Sequence, residues 1–577
     1  MESQNLVFFA LALVLGLSSS SSDLFHKCHQ VEAIPFTADL IRTKILGIFD
    51  GPWFEMEVPA DEEKEPKRIV LSPNLTSCHQ SLSDANKPVY CCPPKAEALE
   101  PTVDFQFPDI STPVKVRKPA HLVDADYIAK YNKAVDIMKS LPFEDPRSYI
   151  RQANMHCLYC TGAYNQQHSN SLLKIHRTWL FFPWHRMMLY FHERILGSLI
   201  GDESFALPFW NWDSPDGMFI PGMYLNGSMA DAQRESSHLP PQVADINYDY
   251  VESGLGTGDQ ISANVALMYN QMVSGAKKPE LFMGCPYKAG ENGFCDGPGT
   301  IELAPHNPLH AWVGSNSNSE REDLGAFFTA ARDPIFYAHH SNVDRLWNVW
   351  NELRGNKPSI EDPDWLESTF FFHNEKSQLV RIKVKDVLDT SKLRYTYENV
   401  ENVWLSARPK PSVPPKIARH VLKMRDNENK FDVNGIGFNG RRFDTAIRVK
   451  LHRPKTRRSK IEKEQEEEIL VVYGISINKD MYVKFDVYVN AVDETMIGPE
   501  SREFAGTFVN MKRGVTTVMD EEDLAVQKRK TVFKVGITEL LEDLEADGDQ
   551  TIFVTLVPRG GTCANTSIDG VRVDYMR

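Results

Sequence analysis

Apolar residues recur at the spacing of one helix face in three stretches of the first two thirds of the chain: Asp124 to Leu141, Trp184 to Ile200 and Ala338 to Leu353. These are read as amphipathic helices that pack into a bundle. The pattern changes after Pro409, Pro411, Pro414 and Pro415, which mark a boundary of stiff, extended chain. From there to Gly440 the sequence is polar, with Gly and Asn, and is expected to be open to proteases. Beyond it, Thr445 to Leu451, Ile469 to Ile477, Tyr482 to Val492, Glu503 to Val509, Thr531 to Ile537 and Thr551 to Val557 are rich in Val, Ile, Phe and Tyr and read as strands. The expected fold is a mainly α catalytic domain, a helical bundle, followed by a C-terminal β-sandwich.

The N-terminus carries a different signal. Leu6 to Leu17 is an apolar run followed by Ser18 to Ser22, too short to span a membrane but suited to a secretory signal cleaved around Ser20 to Ser22. It departs from the usual pattern in one respect, since Met1 to Asn5 contains no basic residue. This leader directs the reading to the secretory route, with vacuole or apoplast as destination rather than the plastid thylakoid lumen, and with no membrane association after its removal. On that route Asn74-Leu75-Thr76, Asn226-Gly227-Ser228 and Asn565-Thr566-Ser567 are glycosylation acceptors. Nine cysteines fit an oxidising compartment and leave at least one thiol over after any pairing. Cys285 and Cys295 in a Gly-rich loop are read as a small bridge, while Cys28 and Cys563 have no evident partner. Residues 23 to 75 show no clear period and are read as a propeptide or extended arm.

With 577 residues the chain has ample core for two to four domains, and its net charge of −14 disfavours nucleic acid. The concentrated basic cluster Arg453 to Lys463 runs into Glu464 to Glu468 and reads as a solvated loop.

Histidines carry the chemistry. His156, His176 and His185 stand among aromatic and aliphatic residues, as do His306, His310 and His340 further on, which is unusual company for exposed imidazoles. Pro183 is expected to break any helix carrying His176 before a new one begins near His185, so those two come from separate elements. Pro305-His306-Asn307-Pro308-Leu309-His310 puts two imidazoles at i and i+4 on one helix face, and both prolines are tolerable in a first turn. Arg332 to Trp347 is an apolar-faced helix with the double histidine His339-His340, of which one need be a ligand. Six imidazoles without carboxylate or thiolate tilt the choice of metal toward copper. Cys157 and Cys160 admit a redox or zinc reading, but no second Cys-x-x-Cys pair exists for a four-thiolate site. His168, His192 and His238 are read as ordinary histidines.

Taken together, several ordered motifs resemble one family. They are His156-Cys157-Leu158-Tyr159-Cys160, Trp179-Leu180-Phe181-Phe182-Pro183-Trp184-His185, Phe209-Trp210-Asn211-Trp212-Asp213, the His306/His310 pair, and Asp333-Pro334-Ile335-Phe336 leading to His339-His340-Ser341-Asn342-Val343-Asp344-Arg345. Asp364-Trp365-Leu366 and Lys484-Phe485-Asp486-Val487 extend the match. The chain thus resembles the type-3 dicopper polyphenol oxidases, above all the plant tyrosinases, catechol oxidases and aurone synthases, over about residues 76 to 577.

The resemblance implies two copper ions, the first on His156, His176 and His185 and the second on His306, His310 and His340, with His339 a neighbour. It implies a thioether from Cys160 to His176 and disulfides Cys78–Cys92 and Cys91–Cys157. It points to Glu302 and Asn307 as a pair holding a basic water, although Asn307 also reads as a helix cap, and to Phe327 as a bulky residue over the second copper where a substrate ring could stack. Asp344 reads equally as a proton acceptor for a ligand ring or as a salt-bridge partner. The implied domains are a signal peptide (1–22), an N-terminal arm (23–105), a dicopper domain (106–357), an Asp-Trp-Leu cap (358–405), a protease-sensitive linker (406–440) and a shielding β-sandwich (441–577).

The implied activity is oxidation of o-diphenols to quinones by dioxygen, with hydroxylation of monophenols. The zymogen is latent until a protease removes the C-terminal domain. The partners are then phenolic small molecules, dioxygen and that protease. A reversible dioxygen carrier would use the same six histidines, and a dedicated oxidase of the aurone-synthase kind would act on one phenolic intermediate.

Overall fold

The apolar stripes close into helices whose buried faces meet in one core. In the computed structural model, α1 (Ala125–Ser140) starts where the Asp124 carboxylate accepts from the Tyr127 N–H, an N-cap that satisfies a first-turn donor. It is followed by α2 (Tyr149–Cys160), α3 (Phe181–Leu199), α4 (Thr257–Tyr269), α5 (Asn307–Val313) and α6 (Ile335–Leu353). α3 is buried on nearly every side, which makes it the centre of the bundle. Pro183 does not break a helix here. It sits in the first turn of α3, where no intrahelical N–H is lost, and His176 lies in the loop before it.

The structure describes residues 69–577 except 83–87, 95–100, 292–296, 356–359, 429–431, 434–441, 479–480, 512–514 and 517–527. The leader, Cys28, Cys295 and most of the linker end near Gly440 lie outside the described residues.

Pro409, Pro411 and Pro414 lie in non-helical chain, as their reading had it, but a helix follows them. Pro415 opens α7 (Pro415–Asn427), because proline is pre-set for a first helical turn, and Ala418 and Leu422 turn inward from it. Arg419 donates to the Glu545 carbonyl and Lys450 pairs with Asp426, so this helix is fastened to the C-terminal strands.

Those strands are β1 (Ile447–His452), β2 (Glu467–Asn478), β3 (Val483–Val489), β4 (Phe504–Asn510), β5 (Lys528–Gly536), β6 (Thr551–Pro558) and β7 (Gly570–Met576). One sheet runs in the order β4, β3, β6, β1, with the short strand Asp432–Val433 added in parallel at its edge; the other runs β5, β2, β7. The neighbours from β1 to β7 pair antiparallel, and Val, Ile, Leu and Phe side chains from both sheets fill one core. The result is the helical region plus β-sandwich expected from the strand and helix patterns.

The sandwich is joined to the bundle by buried contacts. Leu303, just before α5, belongs to the sandwich core. Tyr482 donates to the Tyr248 carbonyl at 2.8 Å and Arg502 to Asn270 Oδ1 at 3.0 Å. No helix of the described residues is long and apolar enough to cross a membrane.

Candidate metal centre

Two groups of side chains converge in the bundle. His156 and Cys160 come from α2, His176 from the following loop and His185 from α3, and their candidate ligand atoms lie within 4.8 Å of one another. His306 precedes α5, His310 lies on it, and His339 and His340 lie on α6; these form a second group of the same tightness. All are buried.

Backbone carbonyls set the ring directions. Because a carbonyl only accepts, the Nδ1–H of His156 donates to Phe327 (2.9 Å), that of His185 to Phe181 (2.7 Å) and that of His310 to Leu324 (2.8 Å). Asn307 Nδ2 donates to the Val509 carbonyl, which turns its Oδ1 toward His306 Nδ1 at 3.0 Å. In the neutral tautomers so fixed, His306 and His310 point Nε2 lone pairs at each other across 3.1 Å. Two facing lone pairs repel, and a cation held by both relieves that repulsion. The buried Nε2 of His185 and both ring nitrogens of His340, and likewise of its neighbour His339, make no hydrogen bond with other groups, as expected around a metal. The donor set therefore fits a pair of copper ions.

Burial keeps these rings neutral, the form that binds metal. It pushes His185 down to about 3 and His310 to about 4. His306 and His340 are likewise lowered, first by burial and then by neighbouring imidazoles.

Residues around the ligands fall into place unevenly. Both Glu302 oxygens accept from the Arg177 N–H, at 2.7 and 2.9 Å, which ties the carboxylate to the residue after His176. Arg177 itself is left-handed, at φ 68°. Cys160 Sγ belongs to the first group, within 4.8 Å of a ring nitrogen of His176. The structure joins Cys78 to Cys92 and Cys91 to Cys157, and the second bond ties the arm to the helix that carries His156.

The Phe327 ring is stacked on His156 (5.9 Å, 10°) and edge-on to His176 (4.8 Å), and it also lines the cavity reached by His310 of the second group. The hydrogen bond from His156 to the Phe327 carbonyl pins this loop beside α2. Asp344 is a salt-bridge residue: it pairs with Arg186 at 2.5 Å and Arg117 at 3.5 Å and accepts from the hydroxyls of Tyr395 and Tyr397.

Other wall residues escaped the sequence reading. A cavity of about 10 Å³ between the groups is lined by His156, His310, Leu324, Phe327, Ala330 and Met511. Met511 follows β4 of the sandwich, is 4 % exposed and packs into the bundle core. Nothing local marks these apolar residues, and Met511 lies about 200 residues beyond His310 in the chain.

Comparison with known proteins agrees with this geometry. Residues 146–353 match the common central domain of tyrosinase, 359–410 the polyphenol oxidase middle domain and 440–575 the chloroplastic polyphenol oxidase C-terminal domain. Aureusidin synthase of Antirrhinum majus is 43% identical over 94% of this chain and 95% of its own length. A chloroplastic polyphenol oxidase of Vitis vinifera is 43% identical over 88% of this chain and 82% of its own. The solved structure of latent apple tyrosinase superposes with a TM-score of 0.74 at 43% identity, covering 83% of this chain and all of that one. The chloroplastic location in the name of the Vitis relative lends no support to the secretory route read from the leader.

Proposed function

As a member of the plant polyphenol oxidase family, the chain is a dicopper enzyme that oxidises phenols with dioxygen, and we propose that it converts o-diphenols to o-quinones, hydroxylates monophenols, and is held latent by its own sandwich. When bound, the copper pair supplies the redox capacity, so that two diphenols and one dioxygen give two quinones and two waters.

In this reading His156, His176 and His185 hold one ion and His306, His310 and His340 the other. The carbonyls of Phe327, Phe181 and Leu324 keep three of those rings aimed inward. The face of Phe327 offers a stacking surface for the phenol ring. Glu302, tied to the Arg177 N–H, holds with Asn307 the water that takes the phenolic proton. Cys160 bonds to His176 and fixes that ring. His339, whose ring lies beside those of His306 and His310 at 5.3 and 5.0 Å, is in this reading a neighbour and not a ligand.

The observation that carries latency is Met511. Its side chain fills the space beside His156 and His310, and what remains, about 10 Å³, holds at most one water and no phenol. An activating protease acting between Ser406 and Gly440 removes the sandwich, and Met511 with it. Turnover of catechol by the full chain, by the chain ending near Leu405 and by full-length Met511→Ala tests this. A rise of at least about tenfold in both altered forms is expected, since small truncations in a blocked pocket open it; equal rates in all three contradict it. A panel of tyrosine, tyramine, catechols, chalcones and lignans then reads whether the enzyme is general or dedicated to one intermediate. Oxygen uptake without organic product would mark a carrier.

A further inference from the structure

One four-residue loop touches both histidine groups. The Leu324 carbonyl orients His310 of the second group and the Phe327 carbonyl orients His156 of the first. The same two residues, with Ala330, line the cavity reached by His156 and His310. Ligand direction and substrate space therefore hang on one short piece of backbone.

Two features fix that backbone. The Thr329 hydroxyl donates to the Asp323 carbonyl at 2.9 Å and closes the loop across its base. Gly325 passes directly against Gly314, the residue after α5. A Cβ on Gly325 would stand 2.5 Å from the Arg321 carbonyl oxygen, and one on Gly314 would stand 2.7 Å from Gly325 Cα. Both distances are to backbone, so a methyl group at either place moves main chain and not a flexible side chain.

We propose that Gly325 and Thr329 are positioning residues that hold the two histidine groups in register with each other, and that the Leu324 side chain sets the size of phenol admitted. The proposal rests on the reading that each group holds one copper ion. A carbonyl that accepts from Nδ1–H aims the opposite Nε2, so a displaced loop re-aims one ligand in each group at once.

The test uses the full chain loaded with copper, and reads copper released to a competing chelator together with the circular dichroism spectrum and thermal transition. Gly325→Ala and the near-isosteric Thr329→Val are expected to keep the fold and to lose both coppers about tenfold faster than the parent. If Gly325→Ala does not fold, Thr329→Val decides. Leu324→Ala, which leaves the carbonyl in place, is expected to retain copper like the parent. Combined with Met511→Ala to open the site, it should raise the kcat/KM ratio of 4-tert-butylcatechol to catechol about fivefold over Met511→Ala alone. Parent-like copper retention in Thr329→Val, or an unchanged substrate ratio with Leu324→Ala, overturns the proposal while leaving the ligand reading intact. A parent chain that takes up no copper pair overturns both.

Discussion

His185 and His340, one from each histidine group, lie face to face, with ring planes 7° from parallel and centroids 4.1 Å apart. α3 and α6 cross at this point, and each contributes its histidine to a shared wall. His339, next to His340 in the chain, belongs to the same cluster of nitrogen atoms: its ring lies 5.3 Å from His306 and 5.0 Å from His310, with Trp212 behind it at 5.9 Å.

Both neighbours lie in the second cluster, and substitution separates them. His340→Ala is expected to lower bound copper to about one per chain, because a site with two remaining imidazoles holds its ion weakly. His339→Ala should retain two. Copper analysis after gel filtration reads both, and the reverse outcome would assign the ligand to His339.

Asn307 links the metal site to the sandwich, with its amide oxygen on His306 and its amide nitrogen on Val509. Asn307→Leu removes both bonds. Monophenol hydroxylation by the opened enzyme is expected to fall about tenfold further than diphenol oxidation, since the former needs the phenolic proton removed. Equal losses on tyramine and catechol would leave Asn307 as an orienting residue for His306 alone.

The buried imidazoles make the metal-free protein acid-sensitive. His185 and His192 are both pushed down to about 3 by burial, against about 6.5 in the unfolded chain. Between those values the unfolded chain binds more protons, so the stability these groups lend is whole above about pH 6.5 and drains as pH falls toward 3. Urea unfolding of apoprotein at pH 7 and pH 5 should show it. His192 stacks on Tyr337 at 3.6 Å, and neither ring nitrogen has a hydrogen-bond partner. His192→Phe should therefore flatten the acid slope and, at pH 7, leave stability unchanged or raise it by about 1 kcal/mol. A slope identical to the parent's contradicts this.

Asp344 is expected to behave in the opposite sense to a removable polar group. Burial alone pushes its carboxyl up, yet Arg186 and Arg117 hold it below its ordinary value. Its contribution is present above about pH 3.9, the unfolded value, and is lost only as pH falls through the lower folded one. Asp344→Asn takes the carboxylate partner from buried Arg186, while Arg117 keeps Glu193 at 2.9 Å, and should cost about 3–5 kcal/mol in denaturant unfolding. A cost below about 1 kcal/mol would place the charge balance elsewhere.

Local pattern carried much of this fold because it reports local geometry. The strand read as Thr445 to Leu451 forms as Ile447–His452, and the i, i+4 spacing of His306 and His310 does put both rings in one cluster. The prolines mark non-helical chain up to Pro414, but the helix that Pro415 starts was not legible, because its inward Ala418 and Leu422 need the sandwich to pack against. The contact of the Phe327 ring with His156 and His176 was not legible in the sequence, because a backbone carbonyl, which has no letter there, helps decide where its loop sits. Met511, Leu324 and Ala330 were invisible for a related reason. An apolar residue at a site differs from one in a core only by what it faces, and those faces come from distant parts of the chain.

The most direct measurement is copper per chain in the purified, metal-loaded protein, taken beside the double variant His185→Ala with His310→Ala, one ligand from each group. Two coppers in the parent and a loss from both sites in the variant are expected. Fewer than two in the fully loaded parent, or two retained by the double variant, would contradict a copper pair held by these six imidazoles.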